Sequence, residues 1–280
     1  MPTCLKARTW LDTTVRWTER SFTNSCYKKS PPPRRGLPIT EMFMKTLFTF
    51  LFLLATPLWA MPAADDAPNW YYPQWLAEAP HAPVFKVRDT VNKYGRYASE
   101  PKIITIKDLI KFHGHFCGGL VEGATALRVA FDRLFADEMI DRTDLIIASN
   151  NSACGGDVAS YLTGARARFG SHVIDPKLKE SDFVVKRVST GKSVRVVINA
   201  ATYPHDVRIQ MKKIESGKFE PADIDLFQDL QWAYAKKLVS RPAMESVDVT
   251  DNPDYSWPAP PCQDLGKRKD NEFKNVPEAH

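Results

Sequence analysis

The chain has 280 residues, of which 25% are charged, and a formal net charge of +5. A chain of this length can form one large domain or two small ones with a substantial core. The excess positive charge lies in residues 1–43, which hold eight Lys or Arg and three Asp or Glu, while the remaining residues hold 30 of each kind. Because nucleic-acid-binding domains normally carry a basic surface on their folded part, we expect no nucleic-acid partner.

A signal peptide is predicted at residues 44–60, MKTLFTFLFLLATPLWA. Lys45 gives it a positive start, Leu47–Leu54 form an uncharged and mostly apolar run, and Ala60 is a small residue suited to cleavage. A membrane anchor is the alternative, but an apolar run of about 14 residues is shorter than the ~20 that cross a bilayer. We therefore expect an exported protein, periplasmic or secreted, with no stable membrane insertion after cleavage.

Composition divides the rest of the chain into further segments. Residues 1–43 show neither helical nor strand periodicity and are either translated from an upstream start or a disordered extension. After the signal peptide come a Pro- and aromatic-rich arm (61–102), a folded domain (103–200), a helical extension (201–241) and a polar tail (242–280). The prolines of the arm exclude a long helix there.

The folded domain begins with two predicted helices. Thr105 followed by Asp108 is typical of a helix N-terminus, and Gly114 interrupts that helix. Apolar residues spaced 4, 3, 4 and 3 apart from Leu120 to Leu134 predict a second, amphipathic helix. The pattern then predicts a buried strand (144–150), a loop and helix (152–169), two strands joined at Thr190–Lys192, and two more helices (203–219 and 223–241). Because helices and strands do not alternate strictly, an α+β fold is predicted.

His113, His115 and Cys117 alternate in the stretch KFHGHFCGGL, just before the second helix. In an extended segment all three side chains point to one side, whereas in a helix only His113 and Cys117 share a face. Imidazole and thiolate are ligands that zinc and similar transition metals prefer. The positive end of the following helix also favours the thiolate form of Cys117. The stretch therefore predicts a metal site.

Cys154, in NNSACGGDV, is also followed by two glycines and also precedes a helix. The two Cys-Gly-Gly units could face each other across one cleft. His113, His115, Cys117 and Cys154 are thus the predicted ligands of a divalent transition metal, with zinc expected. Asp157, one helical turn after Cys154, is a ligand, a base or a favourable charge at the helix start. If the site is catalytic, Cys117 and Asp157 are the predicted catalytic residues.

Other roles for the two thiols stay open at this stage. In an oxidising compartment Cys117 and Cys154 can form a disulfide. They can also serve a thiol oxidoreductase, although the chain lacks a C-x-x-C motif at this place. A third alternative is a metal or cofactor carrier without turnover. The main hypothesis is a metal-binding protein acting on a small-molecule substrate in redox- or metal-linked metabolism.

The folded domain resembles the family of the E-type subunits of formylmethanofuran dehydrogenase over about residues 103–200. The resemblance rests on an H-G-H-x-C motif with a following G-L and helix, and on a cysteine with an aspartate three positions later and then T-G. The matching residues are His113, Gly114, His115, Cys117, Gly119, Leu120, Gly123, Cys154, Asp157, Thr163 and Gly164. The resemblance implies an α+β domain with a mixed sheet, often a homodimer, with a metal-binding cleft lined by the histidines and cysteines.

The chain departs from the family pattern at several places. Gly118 stands where a proline usually follows the cysteine, and Ala165 stands where many members carry a polar residue or cysteine. Some relatives add a cysteine-rich zinc ribbon at the C-terminus, whereas this chain has only Cys262 there. The expected export also differs from a cytoplasmic methanofuran complex, so the family name is not transferred as an activity.

Overall fold

The computed structural model describes residues 71–76, 78–92, 94–136, 139–258 and 272–277. All of them belong to the larger of two compact units, Pro62–His280. The predicted leader and signal peptide lie outside the described residues, so cleavage and export stay predictions. Within the described ranges no helix is long and apolar enough to cross a membrane.

The predicted helices of the domain and of the extension are confirmed. The described residues form helices α1 (Ile106–His113), α2 (Gly118–Phe135), α3 (Ala153–Thr163), α4 (His205–Glu215) and α5 (Pro221–Val239). Helix α1 begins as predicted, because the backbone N–H of Thr105 donates to Asp108 Oδ2 at 2.8 Å. It ends at Gly114, which adopts a left-handed φ of 97° that favours glycine.

The strands form two sheets. They are β1 (Val84–Arg88), β2 (Lys102–Thr105), β3 (Ile140–Asp141), β4 (Leu145–Ser149), β5 (His172–Ile174), β6 (Asp182–Arg187), β7 (Ser193–Ile198) and β8 (Val247–Asp251). The three-stranded sheet has the order β2-β1-β3 and the five-stranded sheet the order β5-β4-β6-β7-β8. Both sheets are mixed, since β1 pairs parallel with β3 and β4 pairs parallel with β5, while the other pairs are antiparallel. The predicted α+β class with a mixed sheet and helices packed on it is confirmed.

Two strands lie in segments where the sequence pattern did not predict them. Strand β1 falls in the predicted arm, where flanking prolines hide a short alternation that buries Phe85 and Val87. Strand β8 falls in the predicted tail and pairs with β7 as an edge strand. Its exposed side carries acidic residues, so its period resembles that of a polar tail. Pairing partners distant in sequence, rather than local pattern, place both strands.

Helix α2 is the central element of the core. It packs on β6 and β7 and contacts α3 and α5. Leu127 and Phe131 of this helix are fully buried, and each such side chain contributes about 1.5–3 kcal/mol to stability. Tyr234 and Leu238 of α5 are buried as well. The helices after residue 200 therefore share the core of the domain, while the domain boundaries themselves stay predictions.

Candidate metal centre and its cleft

The junction between α1 and α2 brings the H-x-H-x-C residues together. The chain leaves the helical conformation at Gly114, and Cys117 is extended (φ −144°, ψ 162°) as the residue that caps α2. Potential ligand atoms of His113, His115 and Cys117 all lie within 4.8 Å of one another. The segment thus follows the extended alternative, in which His115 joins the other two, and these three side chains could hold a metal ion.

Cys154 approaches this group from the first turn of α3. Its Sγ lies 3.3 Å from Cys117 Sγ and 3.6 Å from His113 Nε2, and both cysteines are free thiols. Gly119 permits the approach, because a Cβ at this position would lie only 3.3 Å from both Cβ and Sγ of Cys154. The expected convergence of the two Cys-Gly-Gly units is therefore observed.

Asp157 contacts the histidine and not the thiols. Its Oδ2 accepts a hydrogen bond from His113 Nδ1 at 2.8 Å, and the His113 side chain is only 4% exposed. With Nδ1 protonated, His113 Nε2 carries the lone pair, and this atom faces the two sulfurs. Carboxylates that orient metal-binding histidines in this way are common.

The spacing of the donor atoms fits a tetrahedral ion. Zinc–ligand distances of about 2.0–2.3 Å place the ligand atoms of a tetrahedral site about 3.3–3.8 Å apart. The Sγ atoms of Cys117 and Cys154 and Nε2 of His113 are separated by 3.3, 3.6 and 3.8 Å. The donor set of sulfur and imidazole nitrogen is also the one that zinc prefers.

The two thiols differ in acidity. The hydrogen bond from Cys154 lowers the pKa of Cys117 most, and the backbone N–H groups of Leu120 and Gly119 at the start of α2 lower it further. The hydrogen bond to Cys117 and burial raise the pKa of Cys154. Cys117 is therefore the thiolate of the pair, as its place at a helix N-terminus predicts.

His115 stands at the outer side of the cluster. Its side chain reaches solvent, yet partial desolvation lowers its pKa, and the neighbouring His113 lowers it further. The two rings lie 4.4 Å apart between centroids. A neutral imidazole keeps a lone pair available for a metal near neutral pH.

A cleft of about 400 Å³ opens beside the cluster. The start of α2 and Cys154 form one wall, and α4 and α5 form the opposite one. The residues along it are His115, Phe116, Cys117, Gly118, Gly119, Glu122, Cys154, Glu180, Tyr203, Val207, Met211, Ile224, Phe227, Gln228, Gln231 and Tyr234. The volume suits a small molecule, and the cluster lies at its edge.

Glu122 is the functional candidate that sequence patterns did not reveal. It lies in α2, is 3% exposed, and accepts hydrogen bonds from the hydroxyls of Tyr234 and Ser181, the latter at 3.0 Å. Burial raises its pKa to about 7, although both hydrogen bonds act in the opposite direction. One signal was available: Glu122 is the only charged residue of α2 before Arg128.

Comparisons with known proteins agree with this site. Residues 112–248 match the model of a family described as FmdE, molybdenum formylmethanofuran dehydrogenase operon. Among solved structures, the chain is similar to an FmdE-like protein of tungsten formylmethanofuran dehydrogenase from Syntrophus aciditrophicus. The identity is 15%, the TM-score is 0.35, and the likeness covers 53% of this chain and 72% of the other. A search of curated proteins found no match.

The family match begins one residue before His113 and ends inside β8. It therefore includes both Cys-Gly-Gly units and also helices α4 and α5, which form the second wall of the cleft. The expected resemblance is confirmed, and residues 112–248 of this chain belong to the FmdE family.

Proposed function

We propose that the chain binds one zinc ion through His113, His115, Cys117 and Cys154, at the edge of a cleft that admits a small molecule. The observation that carries the proposal is the spacing of 3.3–3.8 Å among the two sulfurs and His113 Nε2. Asp157 would hold His113 in the tautomer that offers Nε2 to the ion.

The chemistry of the donors supports zinc in particular. Two thiolates would balance the charge of a divalent ion, and the set of two sulfurs and two nitrogens is typical of zinc rather than of magnesium or calcium. A zinc ion with an open coordination position supplies Lewis acidity to a bound substrate. His115, the most exposed donor, stands where the cleft meets the cluster and is the ligand best placed to give way.

Metal analysis of protein purified without a histidine tag tests this proposal. We expect about one zinc per chain and loss of most of it in Cys117→Ser, because a serine hydroxyl stays protonated near neutral pH and is a poor zinc ligand. Asp157→Asn keeps the shape of the side chain, so we expect a smaller loss, on the order of 10- to 100-fold in affinity. Cys262→Ser serves as the matched control, since it also removes one thiol, and circular dichroism checks folding.

Full zinc occupancy in Cys117→Ser would contradict the proposal. Equal losses in Asp157→Asn and Cys117→Ser would instead make Asp157 a ligand, and no loss in Asp157→Asn would remove its role in holding His113.

A thiol oxidoreductase is the second candidate, favoured by the sulfur separation of 3.3 Å and the lowered pKa of Cys117. Closing the Cys117–Cys154 disulfide would pass two electrons to a partner disulfide, which would take up the two protons as it is reduced to thiols. Alkylation separates the two candidates. If zinc protects the thiols, a chelator alone exposes both, whereas a disulfide requires a reductant.

The place of action is also a proposal. We propose that the mature protein is exported after cleavage near Ala60 and serves redox-linked metabolism outside the cytoplasm, on the strength of the predicted signal peptide. Intact-mass measurement of the exported protein should give a chain that starts at or near Met61. A protein that retains residues 1–60 would contradict export by this route.

A further inference from the structure

Buried carboxylates in this protein normally have a cation beside them. Four acidic residues are buried among the described residues: Glu122, Asp144, Asp182 and Asp223. The three aspartates form ion pairs, with Arg187 (3.2 Å), Arg195 (2.7 Å) and Lys213 (2.6 Å) respectively. Glu122 forms none with any described Lys or Arg, and its hydrogen-bond partners are the hydroxyls of Ser181 and Tyr234.

The backbone beside Glu122 is strained to provide one of these hydroxyls. Ser181 adopts a left-handed φ of 54°, which is uncommon outside glycine, while its Oγ donates to Glu122 Oε2. Such conformations cost on the order of 1–3 kcal/mol and often occur at functional sites. The carboxyl group is therefore held in a fixed orientation at a position that burial alone would not favour.

Every charged or titratable neighbour of Glu122 is negative or neutral. Glu180 raises its pKa from the loop before β6, and Cys117 lies at the start of the same helix. From the other wall come Tyr234 and Tyr203; burial and, next, Glu122 raise the pKa of Tyr203 to about 12, so its phenol stays neutral. Arg241 acts on Tyr234 and Arg208 lies over the Tyr203 ring, but neither pairs with Glu122.

The described lining of the cleft has the same character. It includes two glutamates and no Lys or Arg, and its far wall is apolar and aromatic, with Met211, Ile224 and Phe227. Zinc held by two thiolates would add no net charge to this lining. Aromatic faces and an uncompensated carboxylate together attract an organic cation, whereas they repel an anion.

We propose that the cleft binds a small organic cation, an ammonium group on an apolar body, with Glu122 as its counter-charge. The proposal rests on the proposed function, because the same cleft opens onto the zinc cluster and the cation would be the molecule presented to it. Each oxygen of Glu122 accepts one hydrogen bond from the protein and retains a lone pair for a ligand.

The acidity of Glu122 supports this assignment and adds a dependence on pH. Since burial raises its pKa to about 7, the carboxyl is largely protonated in more acidic solution and cannot balance a cation. Binding of an ammonium group would favour the ionised form and release a proton. Cation affinity should therefore fall about tenfold for each pH unit below the pKa of Glu122.

Calorimetric titration with two probes of similar shape tests the proposal. Benzylamine carries an ammonium group and benzyl alcohol a neutral hydroxyl on the same apolar body. We expect benzylamine to bind to the zinc-loaded protein about 10- to 100-fold more tightly, because hydrogen bonds to charged groups are worth more than neutral ones. Benzoate, as the anion, should bind most weakly of the three.

The variant Glu122→Gln should lose the preference for benzylamine while its zinc content stays unchanged. Glu180→Gln is the matched control at an exposed position on the rim, and we expect it to weaken benzylamine by less than tenfold. Should Glu122→Gln fail to fold, the pH dependence of benzylamine binding to the natural chain still decides, since the preference must vanish well below the pKa of Glu122.

Equal affinity for the neutral and the cationic probe, or a preference that survives in Glu122→Gln or at acidic pH, would overturn the proposal. A second metal ion bound per chain and lost in Glu122→Gln would overturn it too. Titration of the metal-free protein separates this result from the proposed function. If the natural chain holds no zinc yet prefers benzylamine, the zinc proposal fails and the cation site stands.

Discussion

The sheet and the cleft treat a buried acid in opposite ways. Asp182 begins β6 and is 1% exposed, and Arg195 on the neighbouring strand β7 donates to both of its oxygens at 3.0 and 2.7 Å. Glu122 is buried to almost the same extent in the cleft wall, yet only two hydroxyls donate to it. Ser181, which serves Glu122, directly precedes Asp182 in the chain. A full change of electrostatic design therefore occurs between two adjacent residues.

This difference separates charges that stabilise the fold from charges that await a ligand. A paired acid inside a sheet has its counter-charge supplied by the chain, so its removal is felt as stability. An unpaired acid beside a cleft costs stability in the free protein and recovers it only when a ligand brings the opposite charge. The same contrast holds for the thiols, which lie 3.3 Å apart without a bond and gain most from an added ion.

The largest expected effect breaks the pair in the sheet. Arg195→Met keeps the aliphatic stem but leaves Asp182 buried without a cation, so we expect a loss of about 3 kcal/mol in the free energy of unfolding. This value is at the low end for buried pairs because the Arg195 side chain is 45% exposed. Denaturant unfolding at neutral pH measures it.

Arg133→Met is the matched control for that variant. Its partner is Asp251, and both side chains are about half exposed, so this surface pair should contribute at most ~1 kcal/mol. Equal losses in the two variants would mean that burial of Asp182 does not distinguish the sheet pair from a surface pair.

A smaller effect of opposite sign is expected in the cleft. Glu122 has an ordinary pKa of 4.5 and a raised pKa of about 7 in the folded protein, so between these values the folded state binds more protons than the unfolded state. Its contribution to stability is therefore present at low pH and is lost as pH rises through about 7. Glu122→Gln should be about 2 kcal/mol more stable than the natural chain at pH 8 and equal to it near pH 4.

Unfolding of both proteins across this pH range measures the difference, and titrations of other groups cancel between them. Glu180→Gln, which changes an exposed carboxyl, should show no such trend. A Glu122→Gln variant that is less stable at pH 8 would contradict the view that the cleft carries an uncompensated charge.

Most of the fold could be predicted from local signals. The Thr105–Asp108 cap, the apolar spacing of α2 and the alternation of β6 and β7 each identify an element without knowledge of its neighbours. Strands β1 and β8 could not be found in this way, because their edges and polar faces gain meaning only from partners far along the chain.

The site divides along the same line. The alternation of His113, His115 and Cys117 and the repeated Cys-Gly-Gly unit predicted a cluster, and the structure brings these residues together with Cys154. The cleft wall from α4 and α5 has no motif. Glu122 becomes notable only when its burial and its lack of a described cation are seen together.

X-ray absorption at the zinc edge tests the central claim most directly, because it counts the sulfur and nitrogen neighbours of the ion itself. We predict two sulfurs at about 2.3 Å and two nitrogens at about 2.0–2.1 Å, with one sulfur fewer in Cys154→Ser. A zinc ion surrounded only by nitrogen and oxygen, or a spectrum that Cys154→Ser leaves unchanged, would contradict the account.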